Sequence, residues 1–195
     1  MAERGITPSQ TVGPFFHFSL TPTDQGFRGI ADDNLVTPDA VGAPIRIAGR
    51  LIDGAGNPVP DAMIEIWQAD GAGRYAGSEP RANTSFKGFG RAATSKEGAF
   101  GFTTVKPGAV PGPDGRLQAP HINVGVFARG MLKRLFTRIY FEGEPGNAGD
   151  AILALVPAER RATLIARRDG ISGGMGLYVF DIRLQGDGET VFFQA

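Results

Sequence analysis

The property that most restricts this chain is how often its backbone must turn. Glycine occurs 29 times and proline 14 times in 195 residues, together about 22% where an average protein has about 12%. Glycine weakens a helix interior and proline breaks it, so long helices are excluded over most of the sequence. Between the turns the stretches are short, and apolar and polar residues alternate. Residues 45–52 (IRIAGRLI) and 62–69 (AMIEIWQA) flank the turn DGAGNPVP, and each reads as a strand with one buried face. Residues 89–94 and 99–105 flank SKEG and read as a hairpin. Stretches 121–128, 135–142, 177–184 and 190–193 add four more strands. The expected fold is all-β, a β-sandwich of mixed topology.

Two stretches favour helix. In 157–168, Pro157 suits a first turn, and Ala158, Ala162, Ile165 and Ala166 form a weak apolar stripe. A shorter helix is expected within 148–155. Residues 1–44 hold no convincing helix and read as an extended N-terminal arm, pinned to the body or laid across a neighbour. Residues 45–195 read as one sandwich domain, long enough to bury roughly 70% of the unfolded surface.

Composition narrows the function classes. The formal net charge is +0, and no basic stripe of the kind that holds nucleic acid is present. The pairs Arg160–Arg161 and Arg167–Arg168 read as a solvated face of the expected helix. There is no cysteine, so disulfide and thiolate chemistry are excluded, in keeping with a cytoplasmic location. The opening MAERGITPSQ lacks the apolar stretch of a signal peptide, and no apolar run approaches a membrane span.

Few residues suit metal chemistry. The chain has two histidines, His17 and His121, and three tyrosines, Tyr75, Tyr140 and Tyr178. His121 and Asn123 stand two apart on an expected strand and so face the same way. Two histidines there would make a two-pronged clamp. One imidazole and one neutral amide are too weak a pair for a catalytic transition metal. Trp67 reads as core, and His17, in FFHF, as part of the arm or of a partner interface.

Residues 106–123, KPGAVPGPDGRLQAPHIN, resemble the iron-binding segment of the intradiol ring-cleaving dioxygenases, which typically reads KPG-x-Tyr-P-W, then a loop, then R-P-A-H-I-H. Further strings resemble the same family in order: IEIWQADGAGRY (64–75), FGRAATSKEGAFGFTTVKPG (89–108), TRIYFEG (137–143) and FDIRLQGDGETVFF (180–193). The resemblance implies a β-sandwich. It places Tyr75 and His121 at two of the four iron-ligand positions, with Val110 and Asn123 at the other two, where neither can coordinate. Gly112 replaces the tryptophan, and Gln118 stands where the family has an arginine that steadies substrate charge.

The opening TPSQTVGPFFHFSL resembles the start of a chain type in this family that binds no iron and pairs with a homologous beta chain that does. That resemblance implies that Fe(III) is held by the partner beta subunit, and that this chain supplies no catalytic residue and no metal ligand. It further implies that Thr11, Gly13, Pro14 and Arg129 help line the partner's pocket. The substrates implied are protocatechuate and O2, and the product 3-carboxy-cis,cis-muconate. Arg129 lies eight residues beyond His121, roughly 26 Å along a straight strand at about 3.3 Å per residue, so unless the chain doubles back at Gly125 it cannot serve the site around His121; it either reaches a pocket on another chain, as the resemblance implies, or is a surface arginine at a strand end. A non-enzymatic β-sandwich that binds ligands or only supports an assembly is the alternative.

Overall fold

A computed structural model describes residues 19–27, 29–77, 85–113 and 115–194. Among these, the strands are β1 (Pro44–Ile52), β2 (Met63–Gln68), β3 (Phe89–Ala93), β4 (Ala99–Val105), β5 (Val110–Pro111), β6 (Leu117–Gln118), β7 (His121–Phe127), β8 (Leu135–Phe141), β9 (Ile165–Ser172), β10 (Met175–Val179) and β11 (Ile182–Arg183). The main sheet runs β11-β1-β10-β9-β8-β7-β2-β3, with β4 also on β1, and β5-β6 form a separate small ladder. Most neighbours are antiparallel, but β1 runs parallel to β10 and β11, and β8 parallel to β9. The architecture is the expected mixed β-sandwich, with its sheet folded almost closed around the core.

β9 makes that closure. Its first residues, Ile165 and Ala166, pair with Tyr140 and Phe141 of β8, and its later residues pair with β10. One strand thus crosses from one layer to the other. This corrects the helix expected over 157–168. A 3-10 turn covers Ala158–Leu164, and the chain then becomes extended. Arg167 and Arg168 therefore lie on a strand. Helix propensity is worth only tenths of a kcal/mol per residue, whereas Leu164 and Ala166 are fully buried and Ala166 O accepts from Glu142 N. The second expected helix shrinks to one turn, Ala151–Ala154, capped by Asp150.

The core lies between the layers. Ile45, Ile47 and Leu51 of β1 and Phe100 and Phe102 of β4 meet Ile64 and Ile66 of β2 and Ile122, Val124 and Val126 of β7. Each such side chain contributes about 1.5–3 kcal/mol on burial. Trp67 does not join them, contrary to the sequence expectation: it is 38% exposed. Alternation decides this. Ile64, Ile66 and Gln68 point inward, so Glu65 and Trp67 point outward. Gln68 is fully buried instead, donating to Ala69 O and Val105 O and accepting from Thr104 Oγ1.

Residues 19–44 are not plain extended chain. Pro22–Gln25 form a 3-10 turn. Residues 32–35 bond across to two strands, through Arg91 N to Asp32 O and Leu35 N to Thr103 O. The strand expected over 190–193 reduces to the bridge Phe136–Phe193. No described helix is long and apolar enough to cross a membrane.

Candidate functional site

Of the residues singled out for metal chemistry, His121, Asn123 and Tyr140 lie together on the outer face of β2, β7 and β8, whereas Tyr178 packs in the core against Phe141. Trp67 pairs with Asn123, Asn123 with Arg138, and His121 with Tyr140. Paired residues on neighbouring strands point the same way, so these five side chains share one surface. Two loops complete it. The first, 69–77, is tied by Asp70, whose carboxylate accepts from Ala72 N, Arg74 N and the Arg74 guanidinium. This brings Tyr75 flat against Trp67, with ring centroids 5.8 Å apart and 13° between planes. The second loop, 106–109, packs backbone to backbone on the first. Gly108 N donates to Asp70 O, and a Cβ on Gly73 would lie 2.0 Å from Ala109 O. Val110 follows on β5, pairs with Gln118 on β6 and is buried.

Beneath the surface, Asp150 is fully buried. Its carboxylate accepts from Ala119 N, Ile152 N, Leu153 N and the Tyr140 hydroxyl. One residue thus caps the short helix and fixes the start of β7. The Arg138 guanidinium donates from Nη1 to Gln118 Oε1 at 2.8 Å and to the Tyr140 hydroxyl at 3.4 Å.

The electrostatics of this cluster favour neutral side chains. His121 is buried, with its ring tilted against Tyr140. Burial, then the charge of Arg138, lower its pKa to about 4. Its Nδ1 lies 2.7 Å from Ala119 O. A carbonyl only accepts, so Nδ1 carries the proton and Nε2 keeps a lone pair. Burial raises the Tyr75 phenol above 10, against opposing contributions from Asn123 and Arg138. Asn123 Nδ2 donates to its hydroxyl at 3.5 Å. Tyr140 is pushed up to about 12, chiefly by burial.

These positions qualify several sequence expectations. Tyr75, His121, Asn123 and Gln118 do converge. Tyr140, for which the sequence offers no partner at this site, stands beside His121, but its hydroxyl is committed to Asp150. Arg138 was missed. Its alternation with Tyr140 in TRIYFEG places both on one face, but the pairing with Asn123 across strands is not written in either segment. Arg129 lies beyond the end of β7, which runs unbroken to Phe127. It is 67% exposed and ion-paired with Asp61 at 2.9 Å. Thr11, Gly13, Pro14 and His17 lie outside the described residues. A recess of about 890 Å³ lies elsewhere, on the outer face of β1 and β4 beside Arg46, Arg50, Asp33 and Asp181. It is a broad groove of mixed charge with no convergent set of reactive groups.

Comparison with known proteins supplies the context. A family model described as a dioxygenase matches residues 12–186. The chain is similar to the protocatechuate 3,4-dioxygenase alpha chain of Burkholderia cepacia, at 46% identity over 96% of this chain and 96% of that one. It is also similar to the beta chain from the same organism, at 37% identity over 78% of this chain and 68% of that one. Among solved structures it resembles the dioxygenase domain of a dioxygenase–carbohydrate-binding fusion from Streptomyces sp. SirexAA-E. There the TM-score is 0.62 and the identity 28%, covering 92% of this chain and 98% of that one.

The iron that this family implies does not fit the residues present here. A ferric ion needs anionic oxygen and imidazole. The cluster offers one imidazole, a neutral amide, a phenol held protonated and a buried valine, with a guanidinium among them. Among the described residues no group of three or more His, Cys, Asp or Glu could hold a metal. By its sandwich, by the order of its motifs and by a match spanning residues 12–186, this chain belongs to the intradiol ring-cleavage dioxygenase family, in a form whose own metal corner has been rebuilt.

Proposed function

We propose that this chain is the alpha subunit of a protocatechuate 3,4-dioxygenase, and that it works by shaping the substrate pocket of a homologous beta subunit that carries Fe(III). The observation that carries this reading is the pairing of near full-length similarity to an alpha chain with a cluster that keeps Tyr75 and His121 but has Val110 and Asn123 at the other two corners. The reaction is the opening of protocatechuate by O2 between its two hydroxyls to 3-carboxy-cis,cis-muconate, in the cytoplasm.

In this reading the chain gives neither a metal ligand nor an acid or base. It contributes position. Arg129 is the cation for the ring carboxylate, since a guanidinium stays charged and binds a carboxylate through two parallel hydrogen bonds. Its exposure at a strand end leaves it able to reach another chain, and an exposed ion pair such as that with Asp61 is worth about 1 kcal/mol or less. Thr11, Gly13 and Pro14 line the same pocket from the arm: glycine allows close approach of backbone to a ligand, and proline holds it rigid. Such positioning matters, because a misplacement of about 1 Å can cost about 100-fold in rate.

The test is reconstitution. Ring-cleaving activity should appear when the chain is co-expressed with its iron-bearing homologue and be absent from the chain alone, which should also contain no stoichiometric iron. Full activity of the homologue without this chain would end the proposal.

A further inference from the structure

Arg138 is a cation on the outer face of this corner, and nothing in the reading above uses it. It stands on β8 directly across from Asn123. Both of its hydrogen bonds, to Gln118 Oε1 and to the Tyr140 hydroxyl, go to neutral acceptors, and neither cancels its charge. The buried carboxylate of Asp150 accepts from the same Tyr140 hydroxyl but forms no ion pair with Arg138. The charge of Arg138 acts on both Tyr75 and His121, the two metal-competent side chains that remain, and at His121 it outweighs the opposing charge of Asp150. His121 keeps a free lone pair on Nε2, and Tyr75 keeps its phenol at the edge of Asn123. The His121 imidazole thus keeps a donor at the corner, with a fixed cation beside it.

We infer that Arg138 is a resident cation that excludes metal ions from this corner, so that the missing ligands alone do not explain why the chain carries none. Repulsion scales with the product of the charges, and a trivalent ion suffers roughly three times the repulsion of a monovalent one at the same place. An arginine cannot relieve this by losing its proton. The inference rests on the reading that the partner is the metal-bearing chain. Stoichiometric iron in the native chain alone would sink that reading, whereas comparing variants tests Arg138 by itself.

Two measurements decide it. In the complex with the iron-bearing homologue, Val110→Tyr/Asn123→His should take up no iron beyond the native level. Adding Arg138→Gln or Arg138→Met to that pair should bring in a second stoichiometric iron with its tyrosinate charge-transfer colour, and adding Arg138→Lys should not. Equal iron with and without the charge removal, whether both full or both empty, overturns the inference. The second measurement needs only a single substitution in the full-length chain. Trp67 is the chain's one tryptophan and stacks on Tyr75, so it reports on a quenching ion bound at the corner. Cu²⁺ should quench Trp67 at roughly ten-fold or more lower concentration in Arg138→Gln than in the native chain. Coincident quenching curves would also overturn it.

Discussion

His121 shows how one residue's surroundings become a property of the whole molecule. In the unfolded chain its pKa is near 6.5, and in the fold burial and the Arg138 charge hold it near 4. Between those values the unfolded chain binds the extra proton, so stability is present above pH 6.5 and is lost as pH falls toward 4. The span corresponds to on the order of 3 kcal/mol. His121→Asn should flatten the dependence of unfolding free energy on pH across this window, measured by denaturant titration at several pH values against the native chain. An unchanged slope would assign the dependence to other groups. Trp67 gives a second case at this scale. Because it faces out and only stacks on Tyr75, Trp67→Ala should cost about 1–2 kcal/mol. Ile66→Ala, one residue away in the core, should cost about 2–5 kcal/mol. Equal losses in chemical denaturation would return Trp67 to the interior. The facing was legible in the alternation of IEIWQ, where tryptophan shares its side with Glu65, but hydropathy alone pointed the other way.

At the level of elements, the strands with strong alternation were readable, among them β1, β2, β4, β7 and β8. β9 was not. Its segment carries alanines and arginines at helical spacing, and it is extended because β8 presents unpaired backbone at Tyr140–Phe141 that must be satisfied. The loop pair that delivers Tyr75 was half readable. Its glycines mark turns, but the close approach between 71–73 and 108–109 joins distant segments. Gly73 is the tightest point, with φ at +76° and no room for a Cβ. Gly73→Ala should destabilise the fold by about 2–4 kcal/mol, seen as a lower midpoint in thermal melting. It should also disturb the Trp67–Tyr75 stack, seen as a change in Trp67 emission. A native-like melt would mean that the two loops can part at little cost.

For the assembled molecule, Arg129 carries the prediction. Arg129→Ala in the complex should raise KM for protocatechuate and leave iron content unchanged, and an unaltered KM would remove Arg129 from the pocket. Loss of a charge-assisted carboxylate contact of this type costs about 1.5–3 kcal/mol, or roughly ten-fold to a hundred-fold in KM. At this scale the sequence by itself determined the class of fold, through dense turn residues and period-two alternation. It also determined that, of the four positions the resemblance assigns to iron ligands, one holds a valine with no donor atom and one an asparagine whose neutral amide oxygen is a poor ligand for a ferric ion. The tertiary structure alone decided which way the strands stack, that β9 passes between layers, and that Arg138 comes to rest among Asn123, Gln118 and Tyr140. Those outcomes depend on pairing between segments far apart in the chain, and pairing is set by the closure of the whole sheet rather than by any local run of residues.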